Sequence, residues 1–212
     1  VSTYHQKTEK AGGDDDDEGI RYVDKLQVVG GLLGIPFKAS GEFVGTPQVQ
    51  WFRQQSCHED GGFKAIELAT SLEYEPNADD VGAILRLECV GPYGGDAAVV
   101  HTEPLALDRD THTELEGLLR KGHAEFHAHT EQQEPRIILV TRKNIKVRSK
   151  LSRLSTSATT LYKQGYDMPL TVVVDQMNPS GFELKLGPHS FHLTLDAPRA
   201  RDLAALCIRM FA

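Results

Sequence analysis

The chain has 212 residues, 40% hydrophobic and 7% aromatic, with three cysteines and a formal net charge of -7. This is room for one large or two small cored domains. With no apolar run long enough to span a bilayer, it excludes a transmembrane protein, a collagen-like or repeat polymer and a disulfide framework. Charge is uneven: residues 1–110 hold 9 Lys/Arg against 20 Asp/Glu, and residues 111–212 hold 14 against 10, so an acidic half precedes a mildly basic one.

In chain order, Val1 stands first and no basic-then-apolar leader follows, so we expect a piece of a longer protein rather than a secretory precursor. Asp14-Asp15-Asp16-Asp17-Glu18 follows Gly12-Gly13. Such a like-charge block repels itself and buries no apolar surface, so residues 1–19 are predicted to be an acidic disordered tail, either a spacer or a docking site for a basic partner.

Residues 20–110 are short apolar segments at 22–29, 36–44, 49–53, 63–68, 82–90 and 97–107, separated by Gly- and Pro-bearing turns. Evenly spaced strands without a helical period predict an antiparallel sandwich or barrel. Leu85, Leu87 and Cys89 alternate with Arg86 and Glu88, as Val49 and Trp51 do about Gln50, the pattern of half-buried strands. Trp51, and a later strand that ends on Cys89 after Asp79-Asp80-Val81-Gly82, resemble strands C and F of an immunoglobulin-like β-sandwich. The family's upstream cysteine is missing, the neighbourhood being Phe37-Lys38-Ala39-Ser40, and Leu87 stands where the family often has tyrosine. Cys89 is therefore expected to be a free, buried thiol. Together with the wide separation of Cys57, Cys89 and Cys207, this predicts a reducing setting, the cytoplasm.

Residues 111–121 change period. Thr113 and Glu116 read as a capping box, and Leu115, Leu118 and Leu119 share one face of a short helix that joins two modules with almost no flexible linker. Seven strand-like pieces follow at 123–130, 136–141, 145–150, 157–162, 170–176, 182–186 and 191–195. Asp196 then reads as an N-cap, Pro198 falls in the first turn, and Leu203, Leu206, Cys207, Met210 and Phe211 recur at helical spacing. Seven strands closed by one helix make 111–212 resemble a pleckstrin homology domain, a bent β-barrel capped by its C-terminal helix. The tryptophan common in such helices is absent, and Phe211 or Met210 is expected to replace it as plug.

Phosphoinositide-binding members of that family use a lysine on the first strand and two bases, one residue apart, on the second. Here Lys121 precedes the first strand, Glu131-Gln132-Gln133-Glu134 fills the loop, and Arg136-Ile137-Ile138 lacks the second base. The loop carboxylates repel a polyphosphate, so the family-standard pocket is expected to be poor. Eight bases instead run from Arg136 to Lys163 with no acid between Glu134 and Asp167. In Ile145-Lys146-Val147-Arg148-Ser149-Lys150 the cations project from one face, and Arg142, Lys143 and Arg153 lie nearby in sequence. Arg142, Lys143, Lys146, Arg148, Lys150 and Arg153 are thus the candidate site. It reads as an ordinary solvated face or as a surface for inositol phosphates or anionic phospholipids. Nucleic acid is disfavoured because no aromatic residues interleave the bases.

His127 with His129, and His189 with His192, suggest metal pairs, but no Cys or carboxylate completes ligand spacing. No nucleophile-elbow or phosphate-loop motif is present, so no catalytic residue, metal or cofactor is expected and the chain is not read as an enzyme. The two modules in this order, with segments 49–53, 74–91, 136–150 and 196–212, resemble the C-terminal part of the plant stomatal closure-related actin-binding proteins. That resemblance implies a cytoskeletal, actin-filament-bundling parent, homodimeric through coiled coils outside these residues. This region would then supply regulation or targeting. The rival expectation is a protein-interaction scaffold using a sandwich edge or the face with Phe52 and Tyr93.

Overall fold

A computed structural model describes residues 1–6, 22–55, 62–150 and 158–212. The chain is mainly β and divides into two compact units, Val1–Leu107 and Asp108–Ala212.

The first unit contains β1 (Ser2–His5), β2 (Val23–Gly30), β3 (Phe37–Phe43), β4 (Gln48–Gln55), β5 (Lys64–Ala65), β6 (Glu73–Tyr74), β7 (Ala83–Val90) and β8 (Ala98–His101). They form two four-stranded antiparallel sheets, ordered β1-β2-β3-β6 and β5-β4-β7-β8. The alternation read in β7 is realised: Leu85, Leu87 and Cys89 are fully buried while Arg86 and Glu88 are half-buried. Trp51, opposite Leu87 in the register, is fully buried and joins the sheets. Its ring lies 5.7 Å from Phe37 of β3 and 5.4 Å from Tyr74 of β6, and its Nε1 donates to the Ser71 carbonyl at 2.8 Å. The last residue of β2, Gly30, leaves room for the Phe37 ring, since a Cβ there would come 2.2 Å from it.

Three expectations are corrected here. Ser2–His5, assigned by sequence to the tail, pairs with β2 from Ser2↔Gly30 to His5↔Gln27; this short uncharged run precedes the acids and supplies a strand edge. The acidic block itself lies outside the described residues. The segment at 63–68 yields only Lys64–Ala65, and the one at 97–107 only Ala98–His101. Leu105 and Ala106 then make isolated parallel bridges to Val81 and Leu32. Finally, β6 was not read, being two residues long and so without a visible period.

A buried carboxylate ties the first unit together. Asp80 is fully buried; its Oδ1 accepts from Arg53 Nε at 2.6 Å, and its Oδ2 accepts from the Tyr74 hydroxyl and the Asn77 N–H, each at 2.8 Å. Burial pushes the Asp80 carboxyl up, while the Arg53 guanidinium and these donors pull it back down. The network links β4, β6 and the turn that leads into β7.

In the second unit α1 (Arg109–Lys121) precedes β9 (His123–His129), β10 (Pro135–Thr141), β11 (Asn144–Lys150), β12 (Ala158–Gly165), β13 (Leu170–Val174), β14 (Gly181–Leu186) and β15 (His189–Thr194). α2 (Pro198–Phe211) follows. The strands make one antiparallel sheet ordered β12-β11-β10-β9-β15-β14-β13. It is an open sheet rather than a closed barrel, with β12 and β13 as its edges. α2 packs against β10, β13, β14 and α1, and buries Leu203, Ala204, Leu206, Cys207 and Ile208.

The helix ends differ from expectation. Asp108 caps α1, accepting from the Asp110 and Thr111 N–H groups at 3.1 and 3.0 Å; Thr113 lies inside the helix and donates to the Arg109 carbonyl. Ala197, not Asp196, is the N-cap of α2, because Pro198 occupies the first turn and fixes where helical backbone begins. Met210 is 55% exposed and Phe211 half-buried, so Ile208 and Cys207 fill the interior instead.

Two predictions follow from these packings. Asp80→Asn removes the carboxylate nearest the half-buried Arg53 guanidinium, which keeps only the longer contact to Asp79 at 3.9 Å, and is expected to cost about 3 kcal/mol, read as a lower denaturant midpoint. Burial pushes the free thiols of Cys89 and Cys207 from 9.0 to about 11. The neutral thiols therefore support the fold at neutral pH, and that support fades as pH rises from 9.0 towards 11. At about pH 8 a thiol reagent should modify both only once denaturant is added, as peptide mapping would reveal.

Candidate functional site

Full burial of Ile145 and Val147 turns the intervening residues of β11 outward, so Lys146 and Arg148 share the opposite face, as the alternation predicts. Lys150 ends this strand, and its side chain, like all of Arg153, lies outside the described residues. On β10, Lys146 stands in register with Leu139 and Arg148 with Ile137. On β12, Lys146 faces Lys163 and Arg148 faces Thr160. Two lysines thus stand directly opposite one another across a strand pair, an arrangement of like charges that costs stability.

No carboxylate offsets that cost among the described residues. The ion pairs of the second unit lie elsewhere, including Glu134 with Arg136, Glu183 with Lys185, Glu114 with Arg199 and Asp202 with Arg201. Arg148, half-buried, donates from Nη2 to the Ala158 carbonyl at 2.9 Å, which orients its guanidinium.

The two turn bases behave differently. Lys143 is exposed between β10 and β11. Arg142 reaches back to α1, donating to the Arg120 carbonyl at 3.2 Å over Gly122, where a Cβ would lie 2.6 Å from its Nε. Gly122 has φ 77°, the left-handed C-cap conformation, and a cation there suits the carbonyl-rich helix end. Arg142 therefore serves the helix terminus while the row on β11 and β12 stays separate.

At the first hairpin, Arg136 is held by Glu134 and also donates to the Pro135 carbonyl at 3.1 Å and the Ser149 hydroxyl at 3.5 Å. Arg136 is thus engaged within its own hairpin.

Lys163 was seen in the sequence as one of eight bases but not placed in the site. Its position depends on a register shift between Val147 and Arg148, where β12 carries one extra residue, Leu161. Which residues of two strands pair is set between the strands and is not read from either one alone.

The other candidates are occupied by local contacts. His127 approaches Glu125 at 3.3 Å, His192 approaches Glu183 at 3.9 Å, and the His189 ring lies 4.3 Å from Tyr162. Among the described residues no group of three or more His, Cys, Asp or Glu could hold a metal ion, and no helix is long and apolar enough to cross a membrane. In the first unit, the Arg86 guanidinium lies 4.5 Å from the Phe52 ring centroid and 4.6 Å from that of Phe63, and pairs with Glu88 at 2.7 Å. Phe52 is thereby partly covered, whereas Tyr93 is 84% exposed and touches Tyr22 edge-on.

Comparison of the sequence with protein-family models and with curated proteins finds no match.

Proposed function

We propose that this chain is a non-catalytic regulatory or targeting region that binds inositol phosphates or phosphoinositides weakly through the cationic face of β11 and β12. The observation that carries the reading is the pair Lys146 and Lys163, opposed in register beside Arg148 and without a carboxylate partner among the described residues. A phosphate group supplies the missing negative charge. Because the bases line a sheet face rather than a cavity, contact is with point charges, which gives modest, salt-sensitive affinity and little selection among isomers.

Strand order supports reading the second unit as pleckstrin homology-like. Numbered within the unit, its seven strands run 4-3-2-1-7-6-5, followed by one helix packed on the sheet. The immunoglobulin-like reading of the first unit is supported by two packed four-stranded sheets about Trp51, with Cys89 a buried free thiol. By the resemblance drawn from sequence, the parent is an actin-filament-binding and bundling protein of the plant cytoskeleton, dimeric through coiled coils outside these residues. This region would bring it under the control of anionic ligands.

A scaffold without such a ligand is the second reading, favoured by the exposure of Tyr93 on the β7–β8 turn.

Calorimetric titration of the chain with inositol hexakisphosphate at low and high salt separates the two. Binding that weakens with salt, and falls about tenfold (1.4 kcal/mol) or more in the Lys146→Glu/Arg148→Glu/Lys163→Glu variant, is the expected outcome. Binding unaffected by the triple reversal would remove the site, and no binding at either salt would leave the scaffold.

A further inference from the structure

The seven-stranded sheet ends in β12 on one side and β13 on the other, and the two edges are built differently. β12 carries a register shift and Lys163, both of which discourage pairing with a further strand. β13 has neither. Its five residues, Leu170-Thr171-Val172-Val173-Val174, hold no charge and no proline, and they pair with β14 without a shift from Leu170↔Leu186 to Val174↔Phe182.

The ladder fixes which backbone groups remain. The Gly187 N–H donates to the Pro169 carbonyl and the Asp175 N–H to the Gly181 carbonyl, so in this register Pro169, Thr171, Val173 and Asp175 are the residues that bond to β14. The N–H and C=O groups of Leu170, Val172 and Val174 therefore point away from β14, along the open edge. One of them is held: Arg209, near the end of α2, donates from Nη2 to the Val172 carbonyl at 2.8 Å. A guanidinium thus sits at the middle of the strand edge.

Apolar surface gathers at the same place. Among the described residues of this unit, the exposed large hydrophobics include Val173 on β13, Met168 and Met177 beside its two ends, and Met210 next to Arg209. Methionine adapts its shape to whatever covers it.

We infer that the edge of β13 pairs with β13 of a second copy of this chain, antiparallel about Val172, and that Arg209 is the guard that limits this pairing. The strand is complementary to itself in that register. Leu170 meets Val174 of the second copy and Val172 meets its own counterpart, as hydrogen-bonded pairs. On the exposed face Thr171 meets Val173, both β-branched, and the Met168 end of one copy reaches the Met177 end of the other. A strand of another sequence gains the same backbone bonds without this match of methionines. So short an edge covers less than the roughly 1,200 Å² of a stable specific interface, so association is weak and concentration-dependent. It uses the edge opposite Lys163, and its failure leaves the anion-binding reading untouched.

Sedimentation of the full chain and its variants tests the pairing. The protein is expected to show a weak equilibrium between monomer and dimer. Arg209→Ala should tighten it about tenfold or more, because the Val172 carbonyl is then released from a charged donor. Thr171 and Val173 are exposed, so charges introduced there leave the core intact. Thr171→Lys/Val173→Lys and Thr171→Glu/Val173→Glu should each be monomeric, since like charges then face one another across the two copies. An equimolar mixture of the two variants should recover the dimer. Self-pairing is overturned if Arg209→Ala associates no more tightly than the unaltered chain, or if the mixture stays monomeric. Should every form remain monomeric while a synthetic Thr-Val-Thr-Val-Thr peptide binds the unaltered chain and not the lysine variant, the edge serves another protein and the second copy is excluded.

Discussion

Burial of Ile145 and Val147 is the constraint on which the charged face depends. A β-strand offers its side chains only two directions, so seating these two in the core of the second unit leaves Lys146 and Arg148 to point outward. A slip of one residue would bring two cations into the interior, at a cost no hydrogen-bond rearrangement recovers. The hydrophobic core thus holds like charges together, and β12 adds Lys163 to the row.

The two units solve their charge problems in opposite ways. In the first, Asp80 is taken fully inside and saturated by Arg53, Tyr74 and Asn77, which welds strands of both sheets to one turn. Arg86 is likewise spent, flanked by two phenyl rings and paired with Glu88. In the second, Arg136 and Arg142 are used locally, by Glu134 and by the end of α1. What remains on the outer face of β11 and β12 is charge that has no carboxylate partner among the described residues. That contrast supports assigning ligand chemistry to this face rather than to the first hairpin.

A flat cationic row has a different character from a pocket. It exerts a field over a Debye length of about 10 Å at moderate salt and meets phosphates wherever they are presented, with no walls to select among them. Attachment through such a row is weak and reversible, so its occupancy would follow the local density of anions.

Much of this was legible in the sequence. Seven strands and a closing helix stood out in the second half because Gly, Pro and Asn turns break apolar runs whose period switches from two to helical only after Leu195. Cys89, Leu87 and Leu85 announced a buried strand face, and the alternation in 145–150 announced the outward row. Two-residue strands such as Glu73–Tyr74, the pairing of Ser2–His5, and the choice of Asp108 over Thr113 as cap were not legible, since each is decided by a distant or adjacent backbone rather than by a repeating pattern. Likewise, the sequence determined that many bases lie between Glu134 and Asp167. Only the tertiary structure decided which of them meet: Lys163 came to face Lys146, Leu161 was left unpaired between cations, and Arg142 and Arg136 were drawn away. Side-chain direction along a strand is a local property of the chain, whereas register and the partner of a charge are set by pairing between residues remote in sequence.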